Sequence, residues 1–216
     1  MPSPFVHSLL PTACLAATEP SLRLDKKSGV RLLFLSVFLA NAPDLDIFYA
    51  LAFAPDKVRY YHRFLGHNLI ALLLFTAIGI FVCRKWAAPA LSRLSAVAIS
   101  VSLVFSHVLL DSLCDVDPLT HVRSGIPFFW PFSEVSYNLP YRLFGKYILD
   151  EKKGTVMSHL TSVTFWKNMF TRELMWTLII FGMWCVLWSA ITGAVKITKR
   201  QLSKDTSVEQ DPVKAA

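Results

Sequence analysis

Residues Leu174 to Val195 read LMWTLIIFGMWCVLWSAITGAV, an apolar run without a formal charge. At about 1.5 Å of rise per residue it is long enough, as a helix, to cross a hydrocarbon core of ~30 Å. Only a helix or a closed barrel satisfies its own backbone polar groups in hydrocarbon, and a single run of this kind is a helix. Tryptophans lie towards both ends, and Lys196, Lys199 and Arg200 follow it. This is the pattern of a spanning helix with interfacial anchors. The rest of the chain is therefore read with the bilayer as its solvent.

Two further segments are long and apolar enough to span, Leu65 to Val82 and Leu94 to Leu113. Pro4 to Thr18 and Val30 to Ala42 predict shorter helices, tilted or embedded in part, and Leu45 to Ala54 a short interfacial one. The 115–172 region mixes Pro, Gly, aromatics and charge, and SGIPFFWPFSEVSYNLPY carries three prolines, so a long helix is not expected there. The expected fold is all-α: a polytopic membrane bundle over residues 1–196, with about three full spans, short embedded or interfacial helices and a Pro/aromatic-rich outer loop. Residues 197–216 are polar and read as a disordered tail. The N-terminal stretch resembles a weak signal peptide, but it lacks a positive n-region and is broken by His7 and Pro11.

The formal net charge of +7 comes from basic clusters beside apolar runs rather than from a basic stripe with interleaved aromatics. That excludes a nucleic-acid partner and points to topology. Arg23, Lys26, Lys27 and Arg31 form one cluster; Arg84, Lys85 and Arg93 a second; Lys196, Lys199, Arg200 and Lys204 a third. The positive-inside rule places all three on the cytoplasmic side of a bacterial inner membrane. His7, Asp44, Asp46, His62, His67, His107 and Asp111 then fall together at the opposite, extracytoplasmic end. Four cysteines, none in CxxC spacing, read as small buried side chains, with a Cys14–Cys114 disulfide open.

Each motif at that end admits a plain reading and a chemical one. His107 and Asp111 are four residues apart and share a helix face, inside an apolar helix where ionisable groups are expensive. They form either a helix-packing hydrogen bond or a metal-ligand pair. Asp44 and Asp46 follow Pro43, which ends a helix, and serve either as caps or as carboxylates for a divalent cation. His62 and His67 flank the start of a membrane helix with Arg63 between them, as interfacial anchors or as imidazole ligands. His7 alone reads as a packed histidine. Taken together, these residues fit a metal site better than they fit separate structural roles. His121 is a weaker ligand candidate, and Asp115 and Asp117 read as loop residues.

In this order the motifs resemble the YdjM-type family of predicted membrane-bound metal-dependent hydrolases. The matching residues are His7, then Pro43-Asp44-Leu45-Asp46, His62-Arg63 with His67, Ser106-His107 with Asp111, and Gly125 through Trp130-Pro131-Phe132. The stretch from Cys114 to Ser124 is longer and more acidic than the family pattern. The family is similar, distantly, to zinc-dependent phospholipase C and P1-type nucleases, whose HxxxD pair His107 and Asp111 resemble. The resemblance implies hydrolysis of a phosphoester, in a lipid or lipid-linked substrate, with Zn²⁺ or Mn²⁺ as the cofactor.

The reading that follows is metal-assisted hydrolysis. His7, Asp44, Asp46, His62, His67, His107 and Asp111 are the expected ligands. Asp44 or Asp46 is the expected general base, and Arg63 the expected partner of a phosphate oxyanion. Phe128, Phe129, Trp130 and Phe132 are expected at the interface, against lipid tails. The alternatives are a non-enzymatic ion or proton pathway and a metal-stabilised scaffold.

Overall fold

The structure is a computed structural model; it describes residues 4–18, 27–53, 64–113, 125–140, 143 and 163–209. His62, Arg63, Cys114, Asp115, Asp117, His121 and the 210–216 terminus lie outside the described residues.

Six α-helices make up the described chain. They are α1 (Pro4–Thr18), α2 (Lys27–Asn41), α3 (Asp46–Phe53), α4 (Leu69–Val82), α5 (Arg93–Ser112) and α6 (Val163–Glu209). A 3-10 turn, Ala42–Leu45, joins α2 to α3, and a π-helical turn, Cys83–Ala87, extends α4. Among the described residues there is no β-strand, only one isolated bridge between Ile126 and Tyr137.

Four stretches are long and apolar enough to cross a membrane: Lys27–Phe53, Leu69–Ala87, Arg93–Ser112 and Phe170–Thr198. The first corrects the expectation of about three spans. Pro43 was expected to separate a short helix from an interfacial one, yet α2, the turn and α3 form one 27-residue stretch. The proline stands at the start of the 3-10 turn, where its missing N–H is not needed. Beyond it, the Asp46 N–H bonds back to the carbonyls of Asp44 and Pro43, so the chain turns without stopping.

Helix α4 starts at Leu69, four residues later than its hydropathy suggests. The Asn68 side chain accepts from Ala71 N at 3.0 Å and so closes the helix end, as asparagine does at an N-cap. Helix α6 begins at Val163, inside the expected loop, and continues to Glu209, well past the boundary drawn at Lys196.

The core lies between α2, α4 and α5, around Leu32, Leu39, Leu72, Ile99, Leu103 and Val104. Gly79 lets α4 close on its neighbours: a Cβ there would lie 2.7 Å from Leu39 Cδ1 and 2.9 Å from Ser100 Oγ. Phe34, Phe38, Leu74, Leu178, Met183 and Val186 remain exposed. In a four-span bundle these form the lipid-facing surface, because the bilayer replaces water as their surroundings. Helix α1 packs on α2, α5 and α6, whereas the α5 and α6 backbones do not approach each other closely among the described residues and their side chains meet only around Leu10 and Leu110. At the basic end, Arg31 stacks over the Trp86 ring at 5.4 Å and donates to the Trp86 carbonyl at 3.3 Å.

Candidate metal centre

The end of the bundle opposite Arg31 and Trp86 gathers six of the seven expected ligands: His7, Asp44, Asp46, His67, His107 and Asp111. The seventh, His62, lies outside the described residues, as does Arg63. The contributing elements are α1, the α2–α3 turn, the 64–68 segment before α4, and the last turns of α5.

Helix α5 supplies His107 and Asp111 from one face, both fully buried. The His107 Nδ1–H donates to the Ala40 carbonyl at 2.7 Å. This fixes the tautomer and leaves Nε2 as the atom that faces the cluster. His67 is held in the same way by a carboxylate. Its Nδ1 lies 3.4 Å from Asp46 Oδ2, which also accepts from the Gly66 N–H at 3.1 Å. Asp46 therefore supports His67 from behind, and Asp44 presents the carboxylate that faces the centre.

Four atoms converge. His67 Nε2 lies 3.1 Å from His107 Nε2 and 3.3 Å from Asp111 Oδ2. Asp44 Oδ1 lies 3.2 Å from His107 Nε2 and 3.7 Å from His67 Nε2. A tetrahedron with metal–ligand bonds of ~2.0–2.1 Å has edges of ~3.3 Å. The separations within Asp44, His67 and His107 are close to that spacing, so these three donors can share one divalent ion such as zinc. The His67, His107 and Asp111 side chains are fully buried, and only Asp44, with 13% of its side chain exposed, opens the cluster outwards.

His7 completes a second triad with His107 and Asp111. Its ring stacks on that of His107 at a centroid distance of 3.8 Å, and its Nε2 lies 3.4 Å from Asp111 Oδ1. His107 has only one ring nitrogen to offer, so the two triads form one merged cluster and not two complete sites. Asp111 is the residue with an oxygen towards each side. Asn41 Nδ2 donates to Ser8 Oγ at 2.8 Å and ties α1 to α2 beside His7.

Burial disfavours the charge on His67, but the Asp111 and Asp46 carboxylates at its two nitrogens outweigh burial and raise its pKa to about 9.

Two participants carry no ionisable group and escaped the sequence reading. Gly66 packs so closely that a Cβ would lie 1.8 Å from the Pro43 carbonyl oxygen, bringing the His67 segment against the α2–α3 turn. The Ala40 carbonyl orients His107. The first had a faint signal, a glycine directly before the motif histidine; the second had none, because any residue supplies a carbonyl. Of the aromatic segment, Phe128 packs on Phe105 while Phe129 and Phe132 are exposed. Among the cysteines, Cys83 is buried and Cys14 and Cys185 are partly buried.

With this geometry in place, comparison with known proteins becomes informative. The YdjM inner membrane protein family profile matches residues 1–195. The chain belongs to that family. It is also similar to the inner membrane protein YbcI of Escherichia coli (strain K12), with 29% identity over 144 residues, covering 66% of this chain and 75% of that protein. No solved structure matches the chain. Family and bundle agree that this is an integral inner membrane protein, and its His/Asp cluster has the donors to hold a metal.

Proposed function

We propose that the chain is a membrane-bound metal-dependent hydrolase that cleaves a phosphoester in a lipid or lipid-linked substrate, with its centre on the extracytoplasmic side. The observation that carries this reading is the grouping of Asp44, His67 and His107 as three donors that can share an ion, with Asp111 and His7 adjoining them and with Asp46 and the Ala40 carbonyl orienting the two imidazoles. Such outer partners are characteristic of metal-binding histidines, whose second ring nitrogen is held by a carboxylate or a backbone carbonyl.

A bound zinc or manganese ion would supply Lewis acidity and a water acidic enough to give hydroxide near neutral pH. The protein supplies orientation and proton handling. His67 and His107 present their Nε2 atoms and cannot turn away. Asp44, at the exposed edge, is placed to accept a proton from an incoming water, while Asp46 is committed to His67 and Gly66. Arg63 remains the proposed partner of the phosphate oxygens. The extracytoplasmic placement follows from the basic clusters at the other end.

A metal-stabilised scaffold is the second reading, favoured by the burial of the His67, His107 and Asp111 side chains, since structural zinc sites are closed to solvent. Zinc and manganese per chain, measured by elemental analysis on protein in mild detergent, separate these readings when combined with phosphodiester turnover. Stoichiometric metal is expected in the parent and should be lost in His107→Ala and Asp111→Ala that remain helical by circular dichroism. Metal with turnover supports the hydrolase; metal without turnover, and unfolding on its removal, supports the scaffold. Absence of metal after reconstitution with several divalent ions refutes both.

A further inference from the structure

Beside the metal cluster runs a separate groove of about 1170 Å³. Its sides are α5 and α6, whose backbones stand apart, and its floor is α1. The 126–139 segment roofs one end. That roof is fastened across the site end of the bundle by Leu69 N to Phe128 O at 2.8 Å and Leu139 N to Ser112 O at 3.2 Å. The far end reaches Thr18, Ser95 and Trp188.

Three features identify an occupant. The lining is overwhelmingly apolar, and three of its hydroxyls are turned back on their own helix: Thr18 Oγ1 donates to Cys14 O at 3.1 Å, Ser106 Oγ to Leu103 O at 2.7 Å and Ser112 Oγ to Leu109 O at 2.6 Å. Along α5 the lining runs from Ser95 to Leu113, a length of ~27 Å at 1.5 Å per residue, enough for an extended lipid chain below its headgroup. The gap between α5 and α6 lies among lipid-facing helices, so hydrocarbon is its surroundings. The polar groups are also one-sided: Leu10 and Leu110, which line the groove, stand next to His7 and Asp111 in their helices, and the roofed end is level with the His/Asp cluster, which would meet an anion through a bound metal. A phosphate head for that metal with a hydrocarbon tail complements both ends.

We propose that this groove seats an acyl chain of a glycerophospholipid, with its phosphate headgroup under the 126–139 roof beside the metal cluster. The substrate role of that headgroup rests on the hydrolase reading above; the chain seat itself does not.

The test uses full-length protein in phosphatidylethanolamine/phosphatidylglycerol liposomes containing trace phosphatidate with a photoactivatable diazirine in its acyl chain. Labelled peptides are mapped by mass spectrometry. Ala98 and Ser102 line the groove one helical turn apart and are exposed, so Ala98→Trp and Ser102→Trp fill it without entering the core. Labelling of groove residues on α5 and α6 is expected at least threefold above that of Leu73 and Leu74 on the open face of α4. It should fall at least threefold in the Trp variants, whose helicity and zinc content stay at parent values. In His107→Ala, zinc should be lost while groove labelling persists, so failure of the metal reading and failure of the seat give different results. Labelling equal to that of the α4 face, or unchanged in both Trp variants, overturns the proposal. Displacement of the probe by polyprenyl phosphate but not by excess unlabelled phosphatidate overturns the choice of occupant.

Discussion

Replacing Gly66 by alanine is the sharpest probe of how the metal centre is held. The added methyl would lie 1.8 Å from Pro43 O and 2.7 Å from Pro43 C. Both are backbone atoms, so no side chain can swing aside. Restoring an ordinary contact of 3.4 Å requires the His67 segment and the α2–α3 turn to part by roughly 1.6 Å. Metal–ligand distances tolerate only about ±0.2 Å. The Gly66 N–H bond to Asp46 stretches with the same movement, so His67 loses its orientation as well as its place. Overpacking of this kind costs about 1–3 kcal/mol, or ~5- to 150-fold in an equilibrium at 1.4 kcal/mol per tenfold. Zinc affinity, measured by chelator competition, should fall within or beyond that range while helical content is retained. Gly79→Ala is the control. There the clash is with the Leu39 side chain and the Ser100 hydroxyl, so the melting temperature should fall and zinc affinity should not. Parent-like zinc binding by Gly66→Ala would refute the argument that this backbone contact sets the position of His67.

Two further outcomes follow from the same geometry. Asp46→Asn keeps the shape but weakens the hold on His67 Nδ1; zinc affinity should fall ~10- to 100-fold, the usual effect of losing such a partner, with stoichiometry recoverable at high zinc. The raised pKa of His67 fixes the sign of a pH effect. Its folded value of about 9 lies above the ordinary value of 6.5, so the metal-free protein is stabilised by this group below pH 6.5, and that contribution is lost as pH rises through about 9. Zinc competes with the same proton, so zinc affinity should strengthen across that interval. Melting curves and zinc titrations at stepped pH measure both, and zinc affinity independent of pH there would contradict the placement of the proton on His67.

The bundle was legible wherever hydropathy decides structure. The charge-free run before Lys196 lies within α6, and α1 spans the residues its sequence suggests. Convergence of the motif residues was also readable, because basic clusters at one end dictate which segments meet at the other. The connection at Pro43 was not. A proline marks where a regular helix is interrupted, but whether the chain stops or carries on through a 3-10 turn depends on the bonds Asp46 makes afterwards. The division of labour between Asp44 and Asp46 was hidden for a related reason: two aspartates in PDLD are equivalent on paper, and only the Gly66 N–H and His67 Nδ1 distinguish them. The groove was invisible, since it depends on α1 holding the α5 and α6 backbones apart.

The interruption at Pro43 has one more consequence. Helix α2 ends at Asn41, so the Ala40 carbonyl belongs to the last turn, whose acceptors lack partners within their own helix. In hydrocarbon such an acceptor is tolerable only where protein covers it, and Ala42 and Pro43 are buried. His107 is what meets it. A straightened α2–α3 rod would cross the bilayer more simply, but its own ladder would claim that oxygen, and His107 would be free to swivel. The defect in the rod is thus the socket for the ring, and mending it would unseat the histidine.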